Sequence, residues 1–149
     1  MKRIGAGGEI FAGFTLIEVM VVLVIIGILA VAVAPRILSR TDQANVTKAK
    51  TDMRTISSAL KLYKLDNGNY PTTEQGLEAL VALPTTEPVP QSWSPGGYIE
   101  GGVTPRDPWG NSYIYRSPGD NGADFEIISL GKDMREGGTS YDEDIIVSG

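Results

Sequence analysis

The chain has 149 residues, of which 18 are acidic and 13 basic, a formal net charge of −5, and neither cysteine nor histidine. This length suits one modest domain, and the acidic balance argues against nucleic acid as the main partner. Without cysteine or histidine there is no disulfide, no ordinary catalytic triad, no thiol nucleophile and no ordinary zinc site.

The chain begins with a short basic leader that is followed by an apolar run. Residues 1–13 include Lys2 and Arg3, and residues 19–34 contain no charge. A secretory signal places its apolar region before the cleavage site, whereas this run follows the Gly13–Phe14 junction. Cleavage at that junction leaves the run on the mature protein, with the leader's cations on the cytoplasmic side of a membrane.

The apolar run is long enough to span a bilayer. From Leu16 to Ala34 it approaches the roughly 20 residues that a spanning helix requires. A buried core helix of a soluble protein is the weaker alternative, because so small a domain cannot surround such a helix on all sides. We therefore predict a transmembrane helix segment over residues 14–35.

Glu18 is the one carboxylate near the start of this run. A carboxylate costs on the order of 2.5 kcal/mol at the bilayer centre and less near the surface. In one interpretation Glu18 lies near the surface and reaches the headgroups. In the other it has a cationic partner, the Phe14 amine that cleavage creates. That amine lies either in the same helix or in a staggered neighbouring chain, where the pair sets the register of an assembly.

A second, amphipathic helical segment follows over residues 36–68. Pro35 has no amide hydrogen and predicts a kink near residues 31–35, a simple helix boundary being the alternative. Helical spacing then resumes, and Asn67-Gly68 is a plausible end. We expect one apolar face to pack on a sheet of the same chain; its members are Val46, Ala49, Met53, Ile56, Leu60 and Tyr63.

Residues 69–149 are expected to form a small globular domain. Thr72 and Gln75 have capping-box spacing and open a short helix that Pro84 ends. Its predicted buried face consists of Leu77, Leu80, Val81 and Leu83. Residues 84–108 indicate an ordered loop, because Trp93, Tyr98 and Ile99 need a place to bury.

The C-terminal third predicts strands and turns. We expect strands over 112–116, 124–130 and 145–147, with a turn over 118–122 and an aromatic turn over 107–111. The predicted fold class is α+β: a long N-terminal helix, with a transmembrane half and an amphipathic half, packed on a small antiparallel β-sheet of about three strands.

An acidic loop separates the last two predicted strands. Asp133 at one end and Asp142 and Asp144 at the other repel one another unless they are solvated or bridged by a cation. Calcium accepts carboxylates and backbone carbonyls in irregular geometry, and the paired glycines Gly137 and Gly138 can turn carbonyls inward. The pattern is not an EF-hand, and the residue types alone favour a solvated loop over a metal site.

Several motifs resemble a known family. The residues Gly13-Phe14-Thr15-Leu16-Ile17-Glu18 resemble the class III signal of type IV pilins and type II secretion pseudopilins. Residues 63–77, 95–98, 107–111 and 129–133 resemble the major pseudopilins of type II secretion. The resemblance covers nearly all of residues 14–146 and implies a type IV pilin-like fold.

The resemblance also implies a processing site and assembly residues. A prepilin peptidase is expected to cut between Gly13 and Phe14, to remove the leader and to methylate the Phe14 amine. Glu18 is then the assembly carboxylate, and Pro35 is grouped with it as an assembly residue.

Calcium in the C-terminal loop is a further implication of the resemblance. Asp133 and Asp144 are the expected side-chain ligands, and Leu130 is expected to contribute its carbonyl oxygen. Asp142 is the expected third carboxylate, although Glu143 is an alternative in that role.

The implied function is that of the major subunit of a periplasmic pseudopilus. It would sit in the bacterial inner membrane with its N-terminus cytoplasmic and its C-terminal domain periplasmic. It would assemble with itself and with minor pseudopilins into a short fibre that helps to move folded exoproteins across the outer membrane. An inner-membrane assembly platform, a cytoplasmic ATPase and an outer-membrane secretin complex are the expected partners.

Two alternatives remain at this point. A type IV pilin for surface fibres is disfavoured because many pilins carry a C-terminal disulfide and this chain has no cysteine. A membrane-anchored periplasmic enzyme would have to use a carboxylate pair such as Asp142 and Asp144, but the sequence indicates no substrate cleft.

Overall fold

The computed structural model describes residues 13–149, except for the side chains of residues 32–39. The described elements are a long helix α1 (Leu16–Asn67) and the strands β1 (Ile114–Arg116), β2 (Glu126–Ser129) and β3 (Ile145–Ser148). Short 3₁₀ helices lie at Leu77–Leu80, Asp120–Gly122 and Ser140–Asp142. The chain divides into two compact units, one up to Ser39 and one over Arg40–Gly149.

The second half of α1 carries the apolar face that its spacing predicts. Ala49, Met53 and Leu60 are completely buried, and Ile56 and Tyr63 are nearly so. Val46 packs against the same core at partial burial. Residues three and four apart share a helix face, so one continuous stripe enters the core and the predicted apolar face is confirmed.

The helix ends where the sequence indicates. Gly68 adopts φ = 84°, a left-handed conformation that glycine takes without steric cost. Its amide donates to the carbonyl oxygen of Lys64 at 2.7 Å and so satisfies one of the last helical carbonyls.

The three strands form one antiparallel sheet in the order β1-β2-β3. The central strand β2 is buried along its whole length, with Ile127 opposite Tyr115 on β1 and Val147 on β3. Phe125 and Ile127 are fully buried in the same core as the apolar stripe of α1. The predicted α+β arrangement is therefore confirmed. Strand β1 begins later than the sequence indicated, and β2 is shorter than expected at both ends.

The segment after α1 contains the predicted capping box but a shorter helix. The Gln75 amide donates to Thr72 Oγ1 at 3.2 Å, and the Thr72 amide donates to Gln75 Oε1 at 3.0 Å. The helix that follows is a single 3₁₀ turn, Leu77–Leu80. The prediction for Leu83 was wrong: its side chain is 49% exposed, because the helix stops before the apolar period reaches it.

The long connection after this turn is ordered, as expected. Gln75 Nε2 donates to the carbonyl oxygens of Thr86 at 2.8 Å and Pro88 at 3.0 Å. Trp93 Nε1 donates to the Ala79 carbonyl oxygen at 2.8 Å. These bonds fasten the connection to the capping turn and give the indole nitrogen a partner.

The aromatic turn before β1 is organised by a buried carboxylate. Asp107 is 5% exposed, and its Oδ1 accepts the amides of Trp109 at 3.1 Å and Asn111 at 2.7 Å. Its Oδ2 accepts the hydroxyl of Ser129 on β2 at 2.9 Å. Three donors to one carboxylate satisfy the buried charge and join this turn to the central strand.

Candidate functional site

The expected processing junction lies just outside the start of α1. Gly13, Phe14 and Thr15 have no regular secondary structure, and nothing lies within 4 Å of the position that a Gly13 side chain would occupy. The Phe14 side chain is 82% exposed. The peptide bond between Gly13 and Phe14 is therefore sterically open.

Glu18 lies in the first turn of the helix. Its amide donates to the Thr15 carbonyl oxygen at 3.1 Å and to Thr15 Oγ1 at 3.3 Å, so Thr15 caps the helix. A carboxylate in the first turn is also favoured by the helix dipole. The structure therefore gives Glu18 a position at the helix start, and its pairing with a Phe14 amine stays a prediction.

The beginning of α1 exposes a long apolar surface. The large apolar side chains of residues 14–31 are between 46% and 82% exposed. Among the described residues, no helix combines the length and the apolar character needed to cross a bilayer. The predicted transmembrane segment at 14–35 extends into residues 32–39, whose side chains lie outside the described residues. That span, the kink near it and the assembly role of Pro35 therefore stay predictions.

The acidic loop between β2 and β3 is tied at both ends. Gly131, at φ = 67°, is buried against the backbone of residues 141–143, and the Lys132 amide donates to the Tyr141 carbonyl oxygen at 3.2 Å. Lys132 Nζ reaches Asp42 Oδ2 on α1 at 2.9 Å, and this hydrogen bond raises the pKa of Lys132. The first residues of the loop are thus held against α1 by the Lys132–Asp42 pair.

Asp144 is the carboxylate that the loop encloses most tightly. Its Oδ2 accepts the Gly137 amide at 2.9 Å, while its Oδ1 is buried without a hydrogen-bond partner among the described residues. Asp144 lines one cavity with Leu130 and Glu136. A buried carboxylate oxygen without a donor is expensive, and a bound cation is one way to satisfy it.

The other predicted carboxylate ligands differ in their surroundings. Asp133 is exposed and accepts the Arg135 amide at 3.1 Å, and the Asp142 amide donates to the Thr139 carbonyl oxygen. Glu143 and Asp144 both line a second cavity. Among the described residues, no group of three or more acidic side chains converges as a metal site.

The donor chemistry of the loop nevertheless suits calcium better than a softer metal. The available donors are carboxylate and carbonyl oxygens, and calcium takes six to eight such oxygens without requiring that most be carboxylates. Glu136 lines the same cavity as Asp144, and its position three residues after Asp133 gave no distinguishing signal in the sequence. The orphaned Asp144 Oδ1 is the observation that makes the loop a candidate metal centre.

Two family models match the chain. The model described as Type II secretion system (T2SS), protein G, matches residues 36–148. The model of the Prokaryotic N-terminal methylation motif matches residues 11–34. Together they extend over nearly the whole sequence.

Known proteins resemble the chain over most of its length. The type II secretion system core protein G of Pseudomonas aeruginosa is 55% identical over 134 residues, which cover 90% of this chain and 92% of that protein. The protein of the same name from Vibrio cholerae is 53% identical over 133 residues, with 89% and 88% covered.

A solved structure agrees with the fold. The crystal structure of the major pseudopilin from the type 2 secretion system of enterohaemorrhagic Escherichia coli matches with a TM-score of 0.62 and 40% identity, covering 73% of this chain and 90% of that one. The chain therefore belongs to the protein G family of the type II secretion system, whose members are structural pseudopilins rather than enzymes.

Proposed function

We propose that the mature chain begins at Phe14, carries a methylated amine, and polymerises with copies of itself into a short periplasmic pseudopilus. The methylation motif over residues 11–34 is the observation that carries this proposal. The family assignment favours a secretion pseudopilus over a surface pilus. Prepilin peptidase would process the chain, and minor pseudopilins, the inner-membrane platform and the outer-membrane secretin would be its further partners.

The exposed start of α1 supports a membrane-anchored precursor. An apolar helical surface of this extent is costly in water, and both a bilayer and a bundle of like helices would cover it. Anchoring in the inner membrane before assembly, with the globular unit in the periplasm, meets that need at each stage. The fibre would then help folded exoproteins to cross the outer membrane.

Calcium binding in the C-terminal loop is a separate part of the proposal. Asp133, Asp142, Asp144 and the Leu130 carbonyl would hold the ion, with Glu143 as the alternative to Asp142. The ion would supply the positive charge that the buried Asp144 Oδ1 lacks among the described residues. This part is independent of the processing step.

The decisive experiment is mass spectrometry of the N-terminus of the full-length protein, extracted from the membranes of cells that contain the secretion system. We expect a chain that begins at Phe14 and is heavier by one methyl group. A chain that still begins at Met1 would contradict the proposal, and a Gly13→Leu variant, which blocks the junction, provides the uncleaved reference.

A further inference from the structure

Charge is segregated along the globular unit. Residues 40–64 of α1 hold six basic residues and two acidic ones, whereas residues 65–105 hold five acidic residues and no lysine or arginine. The two helical acids are already paired, Asp42 with Lys132 and Asp52 with Lys48. Lys64 is paired with Asp124. The other cations of this segment, Arg40, Lys50, Arg54 and Lys61, form no ion pair among the described residues.

The outward side of α1 has the character of a contact surface. With 3.6 residues per turn, an outer stripe lies opposite the buried face; its members are Thr51, Thr55, Ser58, Leu62 and Leu65, and all are exposed. Leu62 is 54% exposed and Leu65 is 79% exposed. These positions carry no charge and follow one another at spacings of three and four, like the buried face.

The hydroxyl groups of this stripe are already satisfied. Thr51 donates to the Thr47 carbonyl oxygen at 3.0 Å, Thr55 donates to that of Thr51 at 3.2 Å, and Ser58 donates to that of Arg54 at 3.0 Å. Because the donors turn back onto the helix, covering the stripe leaves no hydroxyl donor unpaired. The stripe can therefore lose its water at a low cost.

Three cations border the stripe on one side. Lys50, Arg54 and Lys61 are exposed and form no ion pair among the described residues. On a helical projection they lie between about one sixth and just over one quarter of a turn from the stripe's centre. We call the stripe and these cations together the basic face.

A matching surface lies on the capping turn and the connection after it. Glu74, Glu78 and Glu87 are exposed, and the bonds from Gln75 to the Thr86 and Pro88 carbonyls tie the connection that carries Glu87 to the turn that carries Glu74. Two apolar side chains accompany them, Leu83 at 49% exposed and Val89 at 40% exposed. We call these five residues the acidic face.

We propose that the basic face of one copy docks on the acidic face of the next copy in the fibre, an inference that rests on the proposed function. The three cations on one side of the stripe are complementary in charge to the acidic face, and each set of like charges repels itself. The exposed Asp66 lies on the other side of the stripe, away from the cations. A contact between two different faces is heterologous, and repetition of it builds an open filament rather than a closed dimer. The contact weakens as salt screens the exposed charges.

Charge reversal within the full-length chain tests this contact. Arg54→Glu with Lys61→Glu makes both faces acidic, and we expect the yield of fibres and crosslinked oligomers to fall about tenfold or more. Adding Glu78→Lys and Glu87→Lys to the same chain exchanges the two signs and should restore at least half of the yield. Restoration by a second reversal is not expected of a residue that matters only for folding.

Controls separate this contact from the proposed function. Arg106→Glu with Arg135→Glu changes the net charge equally at two exposed residues outside both faces, and its yield should match the unsubstituted chain. Thermal midpoints of the extracted proteins verify folding, and N-terminal mass spectrometry verifies processing. Normal fibres from the first double variant, or no recovery in the fourfold variant, would overturn the contact. Failure of the unsubstituted chain to be processed or to polymerise would instead overturn the proposed function.

Discussion

Neighbouring tyrosines at β1 show how one polar atom decides the energetics of a buried residue. Tyr113 and Tyr115 are each 7% exposed. The Tyr115 hydroxyl donates to the Pro71 carbonyl oxygen at 2.9 Å, whereas the Tyr113 hydroxyl is buried without a partner among the described residues. The same side chain therefore carries a satisfied hydroxyl at one position and an unsatisfied one at the other.

Replacing each tyrosine with phenylalanine should separate these two cases. We expect Tyr115→Phe to lower the free energy of unfolding by about 1 kcal/mol, because it loses a buried hydrogen bond. We expect Tyr113→Phe to leave it unchanged or to raise it, because the removed hydroxyl has no partner. Urea denaturation of the two variants measures the difference; an equal loss in both would contradict this account.

Alkaline pH should destabilise the fold through the same residues. Burial raises the pKa of Tyr115 to about 12 and raises the pKa of Tyr113 as well, from an ordinary value of 10.0. The unfolded chain loses these protons first, so the stability they contribute is present below pH 10 and is lost as the pH rises toward 12. Unfolding curves between pH 8 and pH 12 should show this fall, and a chain with both phenylalanine substitutions should show a smaller one.

At the scale of elements, the sequence predicts what depends on local spacing and turn chemistry. The period of α1, its stop at Gly68 and the capping box at Thr72 are local patterns, and the structure contains all three. The burial of Leu83 depends on how far the helix after α1 continues beyond Leu80. The spacing of a few apolar residues does not determine that length. The 3₁₀ geometry that ends this helix after four residues has no distinctive signal in the sequence.

Contacts between residues that are far apart in the sequence could not be predicted from local spacing or turn chemistry. Lys132 and Asp42 are 90 positions apart and yet join the acidic loop to α1, and Asp107 and Ser129 join a turn to the central strand. Neither pair follows from a local period, because each depends on how the elements meet. For the same reason the sequence named the acidic residues of the loop but not the separate surroundings of Asp133 and Asp144.

Gln75 is the residue on which the element after α1 most depends. Its side chain is buried, accepts the Thr72 amide and donates to two carbonyl oxygens of the connection. Gln75→Ala should lower the free energy of unfolding by about 2–3 kcal/mol, because it leaves these backbone groups without their partner. Glu74→Ala, at the exposed neighbouring position, should change it by less than about 0.5 kcal/mol. Urea denaturation of the two variants measures the difference, and comparable losses would contradict this role for Gln75.

At the scale of the whole molecule, the globular unit is held together at several points far apart in sequence. The core joins the second half of α1 to the sheet, and aromatic contacts such as Tyr70 with Phe125, at 4.8 Å between ring centroids, extend it. The acidic loop closes the unit beside β3. Its proposed ion would therefore affect the stability of the entire unit rather than that of the loop alone.

Calcium should raise the thermal midpoint of the protein through binding to the folded form. We expect a higher midpoint in excess calcium than in excess chelator, and no such difference in Asp144→Asn. Glu100→Gln removes an exposed carboxylate outside the loop and should respond to calcium like the unsubstituted chain. Identical midpoints with calcium and with chelator in the unsubstituted chain would refute the site. A comparison of Asp142→Asn with Glu143→Gln then decides between the two candidate ligands.

Removal of the Glu18 carboxylate should prevent assembly while leaving the subunit itself intact. We expect Glu18→Ala to be inserted and cleaved but to yield few fibres, because it lacks the charge that is predicted to pair with a neighbouring amine. Glu18→Asp keeps the charge and should retain more of the yield. Fibre counts and crosslinked oligomers in overproducing cells measure the effect, and a normal yield from the alanine variant would refute the role.

The globular unit completes its core without any side chain from residues 14–31. The folding of the globular unit therefore does not depend on what surrounds the exposed apolar side chains of residues 14–31. Under the proposed function, the globular unit can therefore pass from a membrane-anchored state into a fibre without refolding.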